Sequence, residues 1–90
     1  MLERRIRIIN GLGLHARAAA QLVRLAATLD AVIILKRDDT DVESNARSIL
    51  DILYLAAGKG IELRITFDGT DEIKAADAIE QLFRTGFGEM

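Results

Sequence analysis

Seven consecutive residues, Ile61-Glu62-Leu63-Arg64-Ile65-Thr66-Phe67, alternate strictly between apolar and polar. Successive side chains on a strand point to opposite faces, so this run calls for a sheet with one face buried and the other in water. Arg5-Ile6-Arg7-Ile8-Ile9 alternates in the same way and then meets the turn dipeptide Asn10-Gly11. Ala31-Val32-Ile33-Ile34-Leu35-Lys36 is a β-branched run and reads as a further strand. After the polar turn Arg37-Asp38-Asp39-Thr40, Asp41-Val42-Glu43 reads as a short strand closing a hairpin.

Between these runs lie helical patterns. From His15 or Ala16 to about Leu29 there is no Gly or Pro, and Leu22, Leu25, Ala26 and Leu29 share one face. Ser44, Asn45 and Ser48 are suitable starters for a second helix, Ile49 to Leu55. Ile52 and Leu55 are its expected core positions, and the glycines of Ala57-Gly58-Lys59-Gly60 suit a left-handed cap. A last helix begins at Thr70-Asp71, buries Ile73, Ala76, Ile79, Leu82 and Phe83, and ends at Gly86 and Gly88. The order β-α-β-β-α-β-α predicts an α+β fold for residues 1–90 as a single domain. It is a two-layer open-faced sandwich, with three helices on one face of a mostly antiparallel four-stranded sheet. Arg5, Arg7, Glu62, Arg64 and Thr66 then belong to the open face.

Composition narrows the function. Twelve Lys and Arg against 14 Asp and Glu leave a net charge of −2 in 90 residues, which argues against a nucleic-acid binder. With no Cys and one His, thiol chemistry and multi-histidine metal sites are excluded. No apolar run reaches the ~20 residues of a membrane span. The basic N-terminus is not followed by a signal-peptide apolar segment, so a soluble cytoplasmic protein is expected. A core this small leaves little room for a large buried cavity.

The informative segment is Gly11-Leu12-Gly13-Leu14-His15-Ala16-Arg17, joining a strand to a helix. A helix start offers unpaired N–H groups and the positive end of the macrodipole, an anion-binding arrangement. His15 brings a nucleophilic imidazole to that start and Arg17 a guanidinium, so a phosphate there is contacted from several sides. The same histidine also fits a plain capping or surface role. Gly11-x-Gly13-x-x-Ala16 further matches a relaxed dinucleotide fingerprint, with Asp38 following the second strand.

Gly13-Leu14-His15-Ala16-Arg17 resembles the phosphorylation motif of HPr, the histidine-containing phosphocarrier of the bacterial phosphotransferase system, and the resemblance covers nearly the whole chain. Ser48-Ile49-Leu50 resembles the family's regulatory-serine segment, and Ala57-Gly58-Lys59-Gly60 its following turn. Asn45, Leu53-Tyr54-Leu55 and Leu82-Phe83-Arg84-Thr85-Gly86-Phe87 are similar to the nitrogen-related branch, NPr. The family usually places proline after the motif arginine, where this chain has Ala18; that touches loop rigidity and transfer rate rather than the acceptor. The resemblance implies that enzyme I, charged by phosphoenolpyruvate, phosphorylates Nδ1 of His15, with Arg17 stabilising the phosphoryl group. An enzyme IIA-type domain then receives it. It also implies a monomeric carrier with a phosphohistidine intermediate, not a self-contained enzyme, with no cofactor, nucleic acid or membrane insertion.

Helix 2 carries more apolar positions than one buried stripe needs. Ile49, Leu50 and Leu53 are therefore expected to form an exposed partner surface, joined by Leu14, Ala16 and Ala20 near the loop. Arg17, Arg24 and Arg47 are expected as its positive rim. Ser48 reads as a helix cap and, through the resemblance, as a site for a regulatory kinase. Two other functions stay open. One is a regulatory protein-binding module whose affinity is switched by His15 phosphorylation; the other is a small-ligand or nucleotide-binding α+β domain.

Overall fold

A computed structural model describes residues 1–89. The strands are β1 (Leu2–Arg7), β2 (Val32–Arg37), β3 (Glu43–Asn45) and β4 (Glu62–Asp68); the helices are α1 (Ala16–Ala26), α2 (Ile49–Leu55) and α3 (Glu72–Arg84). A single 3₁₀ turn follows at Gly86–Gly88. The sheet order is β1-β4-β2-β3, and all three pairings are antiparallel. β4, the strictly alternating run, is therefore an inner strand. Ile6 faces Leu63 across the β1–β4 pair, and Leu35 faces Ile65 across β2–β4.

Period-two alternation sends Ile6, Ile33, Leu35, Leu63, Ile65 and Phe67 into the core. The opposite face is polar and cross-paired: Arg5 reaches Asp38 at 2.8 Å, Arg7 reaches Glu62 at 3.4 Å and Arg64 reaches Asp38 at 3.3 Å. These exposed pairs add solubility more than stability. The helices cover the other face with Leu22, Ile52, Leu55, Ile79 and Phe83, all buried. The phosphate-fingerprint alternative needs a parallel β-α-β unit. Here the strand before α1 pairs antiparallel with β4, and β2 turns back into β3.

Several element ends differ from the sequence expectation. α1 stops at Ala26 because Thr28 and Leu29 turn their N–H groups to carbonyls three residues back, at 3.0 and 3.1 Å; Leu29 stays buried outside the helix. β3 lies two residues later than Asp41–Glu43. Ser44, not Val42, is the inward residue, opposite Leu35, and its hydroxyl donates to the carbonyl of Asp51 at 2.7 Å. The left-handed residue closing α2 is Ala56 (φ 53°) and not a glycine. Arg37 supplies the compensation by donating to the carbonyls of Leu55 and Ala56, both at 3.1 Å. Ile73 is 67% exposed: the buried stripe of α3 starts with Ala75 and Ala76, small residues that let the helix approach the sheet. Asp71, before α3, caps nothing in its own helix; its carboxylate accepts from the N–H groups of Asp30 and Ala31 at 2.9 and 2.8 Å.

Candidate functional site

The site begins where β1 ends. Pairing continues past Arg7, with Ile8 N–H to Ile61 O at 3.0 Å and Gly60 N–H to Ile8 O at 2.7 Å. Asn10 is fully buried and brackets the loop: its Nδ2 donates to Gly13 O at 2.9 Å, and Gly13 N–H donates to Asn10 O at 3.1 Å. Gly13 takes φ +63°, and a Cβ there would lie 2.6 Å from Ala57 O. Glycine is required for both reasons. Leu14 N–H then donates to the same Ala57 O at 3.0 Å. The loop is thus fastened to the end of α2.

His15 is the N-cap of α1, extended at φ −77° and ψ −179°, and its ring does not cap the helix. The first intrahelical bond is Ala19 N–H to His15 O at 2.8 Å. The N–H groups of Ala16, Arg17 and Ala18 therefore have no intrahelical partner. No acidic residue lies in the first turn of α1. Arg17 is exposed and enters none of the ion pairs among the described residues.

The imidazole has a partner that sequence reasoning missed. His15 Nε2 lies 2.9 and 3.2 Å from the two carboxylate oxygens of Glu89. Asn10 Nδ2 also donates to Glu89 Oε1, at 2.7 Å. The carboxylate is delivered by the 3₁₀ turn. Phe87 adopts a left-handed φ of 56°, which a bulky residue rarely takes. It is held there by burial and by an edge-on contact with Phe83, with ring centroids 4.9 Å apart. Gln21 Nε2 of α1 donates to Phe87 O at 3.1 Å. The Asn10 amide, then the His15 ring, with Arg17 nearby, hold the Glu89 carboxyl below the usual carboxylate range. It is ionised at neutral pH. No local motif announces this residue, since 74 positions separate it from His15.

The expected partner surface divides. Ala16 and Arg24 are exposed and Ala20 is half-buried. Leu14 is not a surface residue: it is 4% exposed, drawn into the core by the bond of its N–H to Ala57. Arg47 is not on the rim by His15 either. Its guanidinium donates to the carbonyls of Ala26 and Leu29, at the far, C-terminal end of α1. With Leu14 bonded to Ala57 and Arg47 to Ala26, α2 lies antiparallel beside α1, its C-terminal end next to His15. Ile49, Leu50 and Leu53 are exposed, and so are Tyr54 at 79% and Leu12 at 70%. Leu50 and Tyr54 stand one turn apart on the same side of α2. Ser48 is the N-cap of α2, its hydroxyl accepting from Asp51 N–H at 3.2 Å. No helix among the described residues is long and apolar enough to cross a membrane.

A family model described as "PTS HPr component phosphorylation site" matches residues 2–85. The chain is 43% identical to the phosphocarrier protein HPr of Treponema pallidum over 89 residues, covering 99% of each. It is 41% identical to the phosphocarrier protein NPr of Proteus mirabilis over 86 residues, covering 96% of this chain and 94% of that one. Its backbone matches the crystal structure of HPr-C-His from Thermoanaerobacter tengcongensis with a TM-score of 0.92 at 36% identity, over 100% and 99% of the two chains. With the fold, the loop and the sequence in agreement over almost its full length, the chain belongs to the HPr family of phosphocarriers.

Proposed function

We propose that the chain accepts a phosphoryl group on Nδ1 of His15 from phosphoenolpyruvate-charged enzyme I and hands it to an enzyme IIA-type domain. The observation that carries this reading is the position of His15 at the open start of α1. Three N–H groups without an intrahelical partner and the positive helix end lie at the helix start that His15 caps, and Arg17, exposed, is two residues on. Phosphoryl transfer needs mainly positioning and charge stabilisation, so a small domain can supply its half and a partner the other. The exposed face of α2, with Leu50 and Tyr54, and the loop residue Leu12 give that partner an apolar contact beside the ring. Arg17 and Arg24 favour acidic partners and brief encounters. The carrier acts as a cytoplasmic monomer without a cofactor. Phosphorylation of Ser48 by a kinase would add roughly two negative charges at the start of α2. That point lies about 10 Å along the helix from the end beside His15, given its seven residues.

The same exposed side chains of α2 also support a regulatory reading, in which phosphorylation of His15 switches the affinity for a bound protein. Incubation with phosphoenolpyruvate and enzyme I separates the readings. The carrier takes an acid-labile, alkali-stable label that then passes to enzyme IIA. His15→Ala takes none, while its circular dichroism spectrum stays unchanged. Failure to label the wild type under conditions that charge a related HPr overturns the proposal.

A further inference from the structure

The Glu89 carboxylate is bound to one nitrogen of the imidazole only, at 2.9 Å from Nε2, and lies 14% exposed. A carboxylate accepts and cannot donate, so the proton shared in this contact sits on Nε2. The remaining lone pair of a neutral ring is then on Nδ1, the nitrogen left free by this contact. We propose that Glu89 is a positioning residue for His15: it holds the proton on Nε2, turns the lone pair of Nδ1 towards the open helix start, and balances the charge that the ring acquires when phosphorylated. This inference rests on the phosphocarrier reading of His15.

The Nδ1 lone pair forms the N–P bond, and the bond from phosphorus to its donor atom breaks with its electron pair going to the donor. The ring keeps its Nε2 proton and becomes a phosphorylated imidazolium, now opposite an ionised carboxylate. On transfer onward the N–P pair returns to Nδ1, and a neutral ring remains. No proton moves in either direction. A ring that lost its Nε2 proton after phosphorylation would have to leave as an imidazolate, a far poorer leaving group, and Glu89 opposes that loss.

The carboxylate is itself held. Asn10 Nδ2 donates to its Oε1 at 2.7 Å while also gripping Gly13 O, so a buried amide links loop and carboxylate. Gln21 and the Phe83–Phe87 contact fix the turn that carries it. Arg17 is the cation facing it from α1. The arrangement has the logic of an acid that orients a histidine tautomer for nucleophilic work.

The test uses the full chain with Glu89→Ala and Glu89→Gln. Nitrogen NMR in mildly alkaline buffer reads the tautomer, and phosphoramidate serves as the phosphoryl donor so that no partner protein is needed. The wild type is expected almost entirely in the Nε2–H form. Glu89→Ala becomes a mixture of tautomers and is phosphorylated roughly three- to tenfold more slowly, the rate equivalent of one ordinary hydrogen bond. Glu89→Gln, whose side-chain oxygen still accepts from Nε2–H, restores the tautomer. The phosphorylated Gln variant, lacking the charge, still loses its Nε2 proton at lower pH than the phosphorylated wild type. An unchanged tautomer and rate in Glu89→Ala, in a variant whose amide spectrum shows it folded, overturns the proposal. If phosphoramidate labels the chain and charged enzyme I does not, the phosphocarrier reading fails and the tautomer result still decides this one.

Discussion

Gly13→Ala tests how the loop is locked to α2. At φ +63° an L-residue carries a left-handed penalty of about 1–2 kcal/mol, of which the stiffer unfolded chain returns roughly 0.4–1. The added methyl also meets backbone on two sides, 2.6 Å from Ala57 O and 2.7 Å from Gly58 Cα. Neither is a flexible side chain, so the segment at residues 57–58 must retreat. Forced packing of this kind costs about 1–3 kcal/mol. The retreat also stretches the Leu14 N–H to Ala57 O bond, now 3.0 Å, worth about 0.5–1.5 kcal/mol. The combined loss is about 2–4 kcal/mol, allowing for partial relief of strain when the bond gives way. For a domain of this size that is a fall in Tm of at least about 8 °C. Urea and thermal unfolding followed by circular dichroism measure it. Gly11→Ala is the control, because a Cβ there has nothing within 4 Å, and it should change stability by less than about 0.5 kcal/mol. Equal melting of the two variants would refute the close-approach argument.

Ala56→Gly removes the left-handed penalty at φ 53° and stabilises by about 0.5–1 kcal/mol after allowing for the looser unfolded chain, as a shift in the urea midpoint at constant slope. Ala18→Pro occupies a first-turn position whose N–H has no helical partner, so it raises stability by roughly 0.4–1 kcal/mol, and a clear drop in Tm would show that α1 begins elsewhere. The Asp71 carboxyl is held below its usual range, first by the N–H of Asp30 and then by that of Ala31. A depressed folded-state pKa stabilises above the unfolded value of about 3.9 and ceases to do so as the pH falls through the folded value. Asp71→Ala therefore melts lower than the wild type at neutral pH, and the gap closes in acid titrations below about pH 4.

Alternation and helical spacing are local signals, and they placed what depends on local geometry. β4, the α2 span Ile49–Leu55, the cap at Ser48 and the choice of Ile52 and Leu55 as core all follow from neighbours a few residues apart. His15 at the start of α1 is legible for the same reason. What escaped depends on contacts between distant segments. Arg47 looks like a free surface cation until the carbonyls at the end of α1 come within reach. Leu14 sits in a glycine loop that looks exposed, yet its N–H finds Ala57. Ile73 has the right spacing for the stripe of α3 but falls a turn ahead of the residues that touch the sheet. Glu89 lies beyond a glycine-rich helix end, where spacing carries no message about what lies across the fold.

The strand order also dictates when the molecule can be completed. β1 has one neighbour, β4, and the pairing of Arg7 with Glu62 closes a separation of 55 residues. Before β4 is made only local elements, α1, the β2–β3 hairpin and α2, can form from contiguous chain, because β1 and the second side of β2 wait for β4. β4 arrives last of the four strands, so a nascent chain shorter than about 68 residues leaves β1 and one side of β2 unpaired and has no closed core. His15 leaves the ribosome 74 positions ahead of the carboxylate that faces it. A half-made chain therefore carries the His15 imidazole without the Glu89 carboxylate beside it, and the pair forms only when the sheet has closed and the turn after α3 has been made.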